Sequence, residues 1–375
     1  MKKCVRKVFL QNLLIVCGSI LLFLLGAEGT LRILYPKALN VHYNFPHGFF
    51  CKRDPLLGWI GQPNISGVMS YPAEDMDDLH VVMNTEGFWD RTHKTPKSPG
   101  VKRLLFLGDS FTIGWGIRQE ERFTNIIKDR LSADCEVINM GMWGYSTDQE
   151  LLVFTEKGLK YRPDVVILVM FLDDLFCSRL FSVNDGIYIK PKFALSPNDD
   201  LELCNVPVPD NHGRSVLLNM VLTRFYKLRN RLEMGVEFDR RGWLSVFDKA
   251  YLKQKGYYLS LRLLSEICAV AKGHNMKFLV VIVPWKDQLR AHPIYAAKNG
   301  YAGIPPGRLD FSLPQRVVTL FCEKMGIPVL DLLPVFKEHD CPERLFFKHD
   351  CHWTKAGHRL AAEQILAYLR KLNYP

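Results

Sequence analysis

The fold is decided by the stretch Arg103–Thr112, which reads RLLFLGDSFT. A short apolar run here ends at a glycine, and an Asp-Ser pair follows it before a helical pattern over Glu121–Leu131. Two further apolar runs, Val165–Val169 and Phe278–Val283, contain no polar residue. Runs of this kind are typical of parallel strands that are covered on both faces.

The alternation of strand and helix continues along the chain. Shorter strands are predicted at Glu136–Asn139 and Pro328–Leu330. The other helical stretches are about Asp148–Leu159, Tyr257–Lys272, Leu313–Met325 and about Lys355–Leu372. Five strands that alternate with helices predict an α/β fold, a three-layer α/β/α domain over residues 101–375 with a parallel five-stranded sheet in the middle.

Residues 176–250 interrupt this rhythm, because they separate the third and fourth strands by far more than a normal crossover. Arg224–Arg231 has a helical and basic pattern. Turns are marked by four prolines, Pro191, Pro197, Pro207 and Pro209. We predict an insertion that caps one end of the sheet.

The composition is that of a folded globular protein, since 48% of the 375 residues are hydrophobic and 23% are charged. The formal net charge is +10, but Lys2, Lys3, Arg6 and Lys7 contribute four of the positive charges near the start of the chain. No dense basic block follows, so we expect no nucleic-acid partner. The sequence has no phosphate-binding loop, HExxH helix or paired CxxC, which argues against nucleotidases, zincins and zinc ribbons.

Residues 8–27 form an uncharged apolar run behind the basic tail. About 20 helical residues span the ~30 Å core of a bilayer. We expect a single-pass, uncleaved anchor with residues 1–7 in the cytoplasm and the main domain outside, in the periplasm if the cell is bacterial. A cleaved signal peptide ending near Leu25–Ala27 is the alternative. Residues 28–100, rich in aromatic residues and turn formers, are predicted to pack on the main domain as an approach segment.

Residues that can take part in catalysis follow the predicted strands, at the edge where open parallel sheets bind ligands. Ser110 follows the first strand, Gly144 lies in the loop after the second, Asp173 follows the third, and Asp350 and His352 precede the last helix. Taken singly, such residues more often cap helices, make turns or pack. Together they supply the nucleophile, backbone donor, base and orienting carboxylate that acyl transfer through a serine ester requires.

At these residues the sequence resembles the SGNH/GDSL hydrolase superfamily, over roughly residues 100–370. Gly108–Ser110 resembles its first block, and Asn139-x-Gly141-x-x-Gly144 resembles its second. The resemblance implies a flavodoxin-like fold and esterase, lipase or carbohydrate O-acyl chemistry without a metal or organic cofactor. It also implies that Ser110 is the nucleophile and that Gly144 lends its N–H to the oxyanion hole.

Two features depart from the family pattern. Asp173 stands where the third block usually has an asparagine that donates to the oxyanion, and an ionised carboxylate there would be repulsive. Asp173 must therefore be protonated, be turned away from the oxyanion or serve another purpose, and in the last two cases the oxyanion hole rests on the N–H groups of Ser110 and Gly144. The last block reads Asp350-x-His352 instead of Asp-x-x-His, a spacing similar to that of SGNH-like polysaccharide O-acetyltransferases such as the alginate acetylation proteins.

The segment around the catalytic candidates is also rich in cysteine and histidine. We predict a disulfide between Cys341 and Cys351 that braces the loop carrying Asp350 and His352. A metal site is the rival interpretation, although the spacings fit no standard zinc finger. Its candidate ligands are His339, Cys341, His349, Cys351, His352 and His358.

The sequence thus predicts a membrane-anchored, extracytoplasmic serine esterase or O-acyltransferase with a Ser110–His352–Asp350 triad. The expected partners are the membrane and an ester or O-acylated carbohydrate or lipid of the cell envelope. The alternative, which Asp173 keeps open, is an inactive SGNH-like domain that binds glycans or partners in an envelope assembly.

Overall fold

The computed structural model describes residues 2–35, 50–70, 78–183, 188–209, 215–235, 242–253, 257–290, 304–305 and 307–374. Its strands are β1 Cys51–Asp54, β2 Gly58–Gly61, β3 Ser66–Met69, β4 Leu79–Val82, β5 Lys102–Gly108, β6 Cys135–Asn139, β7 Val165–Met170, β8 Ser182–Val183, β9 Tyr188–Ile189, β10 Lys192–Leu195, β11 Leu201–Cys204, β12 Lys277–Ile282 and β13 Val329–Asp331.

The α-helices lie mostly between these strands. They are α1 Lys2–Leu34, α2 Ser110–Ile113, α3 Phe123–Arg130, α4 Thr147–Val153, α5 Asp174–Cys177, α6 Val216–Met234, α7 Lys249–Lys253, α8 Tyr258–Gly273, α9 Leu313–Lys324, α10 Leu333–Glu338 and α11 Lys355–Lys371. The predicted helix over Asp148–Leu159 is one continuous path, but α4 passes into a π-helical turn at Phe154–Gly158.

The central sheet has five strands in the order β13-β12-β7-β5-β6, and every neighbouring pair is parallel. Counted along the chain, this is the order 2-1-3-4-5 of flavodoxin-like folds, in which ligands bind at the carboxyl edge where the order reverses. The predicted fold class is confirmed. Each of the five strands begins and ends within two residues of its predicted bounds.

The two faces of the sheet are covered by different helices because successive side chains of a strand point to opposite sides. Leu105 and Leu107 of β5 join one buried cluster with Ile267 of α8. Leu104 and Phe106 join a second cluster with α11 and α3. Burial on both faces explains why the strands read as continuous apolar runs.

The region between β7 and β12 holds two small hairpins, β8–β9 and β10–β11, and the long helix α6. Before the sheet come the hairpins β1–β2 and β3–β4, and the first of them contacts the loop after β6. The indole N–H of Trp59 donates to the carbonyl of Trp143 at 2.8 Å, and Gln149 donates to the carbonyl of Leu57 at 2.7 Å. These contacts place the aromatic residues of the approach segment against the carboxyl edge of the sheet.

Helix α1 runs past the predicted end of the apolar stretch, up to Leu34. Within the part of the chain that the structure describes, it is the one helix that is long and apolar enough to span a membrane. A signal sequence near the N-terminus would meet the same criteria. In the last turns of α1, Glu28 forms an ion pair with Arg32 at 2.7 Å. This pair at i,i+4 spacing supports the helix beyond the apolar run.

Candidate active site

Ser110 lies at the tight turn between β5 and α2. The side chain of Asp109 caps α2, since its Oδ1 accepts a hydrogen bond from the N–H of Phe111 at 2.9 Å. Gly108 is required by close packing, because a Cβ there would lie 2.2 Å from Oγ1 of Thr112 and 2.9 Å from the carbonyl oxygen of Val169. The turn therefore presents Ser110 at the carboxyl edge of the sheet, at the start of a helix.

His352 and Asp350 meet Ser110 there. Oγ of Ser110 lies 2.7 Å from Nε2 of His352. Oδ1 of Asp350 accepts a short hydrogen bond from Nδ1 of His352 and a second one, at 2.7 Å, from the backbone N–H of the same residue. Because a carboxylate only accepts, the proton of the neutral imidazole is on Nδ1, and Nε2 is free to accept from the serine hydroxyl.

The carboxyl of Asp350 stays ionised in this arrangement. Burial alone would raise its pKa, but the hydrogen bonds and charge of His352 outweigh burial and hold the pKa below its ordinary value of 3.8. The ring of His352 packs against two aromatic rings, with ring centroids 4.8 Å from Phe111 and 5.4 Å from Trp115. The imidazole is therefore oriented by a carboxylate at Nδ1 and by packing against aromatic rings.

The loop that carries Asp350 and His352 is closed by its own backbone. Phe346 and Trp353 form an antiparallel bridge, and the N–H of Phe347 donates to the carbonyl of His352 at 3.0 Å. This closure keeps the two catalytic candidates within a short, tight segment.

Lys286, just after β12, braces the same loop from outside. Its ammonium donates to the carbonyls of Lys348 at 2.8 Å and Asp350 at 3.1 Å, and to that of Phe347 through a short hydrogen bond. The sequence analysis did not identify this lysine. Its place directly beyond a central strand is the only signal that could have pointed to it.

The predicted disulfide between Cys341 and Cys351 is wrong, because both residues are free thiols. The loop is braced instead by the backbone bridge between Phe346 and Trp353 and by the hydrogen bonds of Lys286. Sγ of Cys351 lies 3.7 Å from Nδ1 of His352, and burial raises the pKa of this thiol well above its ordinary value. Cys351 is thus a neutral neighbour of the imidazole.

A metal-binding arrangement fits these residues less well than a hydrogen-bonded chain. The donor atoms of Asp350, Cys351 and His352 lie within 4.8 Å of one another. Both ring nitrogens of His352, however, already face hydrogen-bond partners. His358, another candidate ligand, is buried and accepts from the N–H of Phe123 at 3.3 Å, and burial lowers its pKa to about 3.

The loop after β6 is joined to the nucleophile turn by backbone and side-chain hydrogen bonds. Nδ2 of Asn139 donates to the carbonyl of Thr112 at 2.7 Å, and the N–H of Met142 donates to the carbonyl of Gly108 at 3.1 Å. Gly144 follows with a φ of +68°, a left-handed conformation that glycine adopts without strain. The second block of the motif thus lies beside the first, with the backbone of Gly144 exposed.

Asp173 begins α5 directly after β7. Its carbonyl accepts from the N–H groups of Phe176 at 2.8 Å and Cys177 at 2.7 Å, but its side chain does not cap the turn. Asp174 has that role, since its Oδ2 accepts from the N–H of Phe171 at 3.1 Å. Among the described residues, Oδ1 of Asp173 is buried without a hydrogen-bond partner.

The protonation of Asp173 is balanced between two opposing effects. Burial raises its pKa most strongly, and the charge of Lys190 lowers it, which leaves a pKa of about 7. The negative charge of Asp173 in turn raises the pKa of Asp109 and of Cys351, which adjoin Ser110 and His352 in the chain. The carboxyl of Asp173 therefore acts electrostatically on both sides of the Ser110–His352 pair.

Lys190 belongs to a buried acidic cluster behind the site. It forms an ion pair with Asp148 at 2.6 Å, and neither side chain is exposed. Glu150, on the same helix as Asp148, is buried as well, and burial together with the charge of Asp109 raises its pKa well above 4.5. Neither Lys190 nor this cluster was found from the sequence, because Lys190 lies in the insertion and α4 in the main domain.

A cavity of about 500 Å³ lies beside the loop of His352. It is lined on one side by residues that follow α2, and on the other by residues around the Phe346–Trp353 bridge. Its charged lining consists of Arg118, Arg344, Lys348 and Lys355, the last of which is paired with Glu121 at 2.9 Å. The cavity has the size of a small-molecule site.

Comparisons with known proteins agree with the motif resemblance. Residues 236–375 match the family model of the SGNH hydrolase-like domain of the acetyltransferase AlgX. The matched span contains Asp350 and His352 and starts after Ser110 and Asp173. The resemblance to the SGNH superfamily and its O-acetyltransferases is thereby confirmed, and it supports a hydrolase or acyltransferase.

Solved structures with a similar fold include a lipolytic protein of the G-D-S-L family from Veillonella parvula (12% identity, 71% of this chain and 97% of that chain, TM-score 0.40). A lipase/acylhydrolase from Enterococcus faecalis is 12% identical over 72% of this chain and 96% of its own, with a TM-score of 0.39. A GDSL-like lipase from Bacteroides thetaiotaomicron is 14% identical over 72% and 89%, with a TM-score of 0.38. No curated protein matches the chain significantly.

Proposed function

We propose that this protein is a membrane-anchored, extracytoplasmic serine esterase or O-acyltransferase. The observation that carries the proposal is the continuous hydrogen-bond chain from Oγ of Ser110 through His352 to Asp350, at the carboxyl edge of the sheet. A serine is a weak nucleophile unless an oriented base takes its proton, and this chain supplies both the base and its orienting carboxylate.

The first half-reaction forms an acyl-enzyme. Nε2 of His352 accepts the hydroxyl proton while Oγ of Ser110 attacks the carbonyl carbon of the ester. The tetrahedral intermediate collapses when the imidazolium donates that proton to the leaving oxygen. Asp350 stabilises the imidazolium in between, which its depressed pKa allows because the carboxylate stays charged.

The oxyanion would be held by the backbone N–H groups of Ser110 and Gly144 and by the neutral carboxylic acid of Asp173. Oδ1 of Asp173 is buried and lacks a hydrogen-bond partner among the described residues, and the pKa of this carboxyl is about 7. Both observations support a group that donates only when protonated. A protonated acid can replace an amide as a donor in an apolar site. This resolves the conflict between an aspartate at this position and catalysis.

The second half-reaction transfers the acyl group to water or to a sugar hydroxyl, with His352 as the base again. The cavity beside the His352 loop supports a carbohydrate acceptor, since the cationic side chains of Arg118, Arg344 and Lys348 can donate hydrogen bonds to sugar hydroxyl oxygens. The match to an acetyltransferase domain supports transfer as well.

A fluorophosphonate probe tests the proposal, because it labels only an activated serine. We expect labelling of the wild-type protein, no labelling of Ser110→Ala, and full labelling of the control Ser312→Ala, which changes an exposed serine. Turnover of p-nitrophenyl acetate with and without added oligosaccharide then separates hydrolysis from transfer. If the folded wild-type protein resists the probe, the inactive, glycan-binding alternative is the correct one.

The anchor is part of the same proposal. The uncharged run of α1 behind four basic residues supports a single-pass orientation with the main domain outside the cytoplasm. Alkaline carbonate extraction should leave the full-length chain in the membrane pellet. Release of a shortened chain into the soluble fraction would instead identify a cleaved signal peptide.

A further inference from the structure

Helix α6 packs into the domain on one face and, among the residues that the structure describes, carries an exposed apolar stripe on the opposite face. One face packs into the domain through residues that include Asn219, Tyr226, Asn230 and Met234, all of which are buried. The opposite face has a stripe of large apolar side chains that are 49–77% exposed, Leu218, Val221, Phe225, Leu228 and Leu232. Their alternating spacing of three and four residues puts them on one side of the helix.

The orientation of this stripe is set by hydrogen bonds on the covered face. Asn230 accepts from the N–H of Phe181 at 2.8 Å and donates to the carbonyl of Ser182 at 2.7 Å. The hydroxyl of Tyr226 donates to Oδ1 of Asn205 at 3.0 Å. Rotation of α6 that buried the stripe would break these buried bonds, so the apolar stripe faces outward.

The start of α6 is joined to α1 at the end of the apolar run. The carboxylate of Glu28 accepts hydrogen bonds from the hydroxyl of Ser215 at 2.9 Å and from the N–H groups of Val216 at 3.0 Å and Leu217 at 2.9 Å. Glu28 thus satisfies the free N–H groups at the first turn of α6. It is also the first charged residue after the apolar run, which is where a spanning helix leaves the hydrocarbon.

The apolar surfaces of the two helices are continuous. An apolar groove of about 460 Å³ is lined by Leu21, Leu24 and Leu25 of α1 and by Leu218 and Val221 of α6. The stripe of α6 therefore begins beside the last apolar turns of α1.

The charges of α6 limit how deeply it can enter a bilayer. Arg224, Lys227, Arg229 and Arg231 against Glu233 give the helix a formal charge of +3. Arg224 and Arg231 are exposed beside the stripe. A helix with a continuous apolar face and basic flanks lies in the interfacial layer, with its apolar side chains among the acyl chains and its basic residues at anionic headgroups.

We propose that α6 is an interfacial membrane helix, and that the lipid bilayer covers its exposed stripe. The inference rests on the anchor proposed above, because α1 fixes where the bilayer lies. The occupant is lipid since the stripe continues the apolar surface of α1 and its flanks carry the charge that complements anionic lipids. The catalytic domain would then have two contacts with the membrane, which orient the active site relative to the surface.

Photocrosslinking in proteoliposomes tests this with the full-length protein. Benzoylphenylalanine is introduced singly at Phe225, at Leu228, at Leu22 in the apolar run of α1, and at Leu320 of α9, which is 58% exposed and serves as the matched control. The vesicles contain phosphatidylcholine, phosphatidylglycerol and an alkyne-tagged lipid. We expect lipid adducts at positions 225, 228 and 22, and only background at 320.

The outcomes separate this inference from the anchor. Adducts at 22 together with background at 225 and 228 would overturn the interfacial helix and leave the anchor intact. Background at all four positions would refute the anchor, and the inference with it. An adduct of 225 to a second protein, when the assay is repeated in native membranes, would identify a protein surface instead of lipid and would equally overturn the proposal.

Discussion

Replacing Asp173 with asparagine should make the enzyme faster, and more so as the pH rises. In the proposed mechanism the carboxyl of Asp173 donates to the oxyanion only when it is protonated, and its pKa of about 7 reflects burial opposed by the charge of Lys190. The amide of asparagine has nearly the same shape, donates at every pH and carries no charge. The change thus removes the repulsion between an ionised carboxylate and the oxyanion, and it removes the pH dependence that comes from protonation of Asp173.

The size of the effect follows from the fraction of Asp173 that is protonated. With a pKa of about 7 this fraction is about 0.9 at pH 6, about 0.5 at pH 7 and about 0.1 at pH 8. If the ionised form is inactive, Asp173→Asn should leave kcat nearly unchanged at pH 6, raise it about twofold at pH 7 and raise it about tenfold at pH 8. The wild-type decline of kcat above neutral pH should disappear in the variant.

The assay is steady-state hydrolysis of p-nitrophenyl acetate between pH 6 and pH 8, corrected for spontaneous hydrolysis at each pH. Asp129→Asn, which changes an exposed aspartate on α3, is the control and should follow the wild-type profile. A fall in kcat for Asp173→Asn at pH 7 would refute the reasoning, because it would mean that the carboxylate itself takes part. A parallel profile would mean that Asp173 does not face the oxyanion.

Three further changes test the site and its surroundings. Asp350→Asn should lower kcat about 10³- to 10⁴-fold with an unchanged melting temperature, because the wrong tautomer of His352 is favoured; a loss below tenfold in the ester assay would contradict the triad. Lys286→Met should lower kcat about 10- to 100-fold through a looser loop while KM changes little, with partial recovery in Lys286→Arg; a pure loss of stability would remove its positioning role. Glu150→Gln should be stabilising by an amount that grows with pH. Burial raises the folded pKa above the ordinary 4.5, so the wild type loses about 1.4 kcal/mol per pH unit from about pH 4.5 up to the folded pKa, and the variant does not. Urea unfolding at pH 5 and pH 7 should show the gap widening with pH, and a constant gap would contradict it.

The fold could be predicted from the sequence because its signals are local. Each central strand is an apolar run bounded by turn residues, and burial on both faces leaves no ambiguity about which residues belong to it. The run at Val165–Val169 became β7 with one more residue at its end. Helix bounds agreed less closely, as at α3, which begins at Phe123, two residues after the predicted start, and is preceded by a 3₁₀ turn over Gln119–Glu121.

The residues of the candidate site fall into two groups, those that a local motif predicts and those whose role depends on distant parts of the chain. Ser110 could be proposed from its turn, and the pair Asp350 and His352 from its spacing, because each belongs to a short motif. Lys286 and Lys190 could not, since their roles depend on partners 64 and 42 residues away in the chain. A lysine in a sequence is usually a solvated charge, and only tertiary structure shows that Lys190 is fully buried.

The disulfide prediction failed for a related reason. An even number of cysteines outside the anchor permits disulfides, but pairing requires Cα and Cβ geometry that a sequence does not contain. Cys341 and Cys351 flank the loop of the catalytic candidates, which made a brace between them attractive. The loop is braced instead by Lys286 and by its own backbone, and the spacing of the cysteines cannot predict either contact.

The insertion between β7 and β12 contacts the candidate active site through Lys190 and also carries helix α6. A chain of hydrogen bonds connects these two parts of the insertion. At one end Lys190 pairs with Asp148 and, against the larger effect of burial, lowers the pKa of Asp173, the proposed oxyanion donor. The N–H of Lys190 donates to the carbonyl of Phe181 at 3.0 Å, and the N–H of Phe181 donates to Asn230 of α6 at 2.8 Å. The same segment that supplies the positive charge behind the active site therefore also holds the helix proposed to lie on the membrane. A deletion of the insertion would remove both at once, so point variants such as those at Asp173 and on the stripe of α6 are needed to tell the electrostatic contribution from the membrane contact.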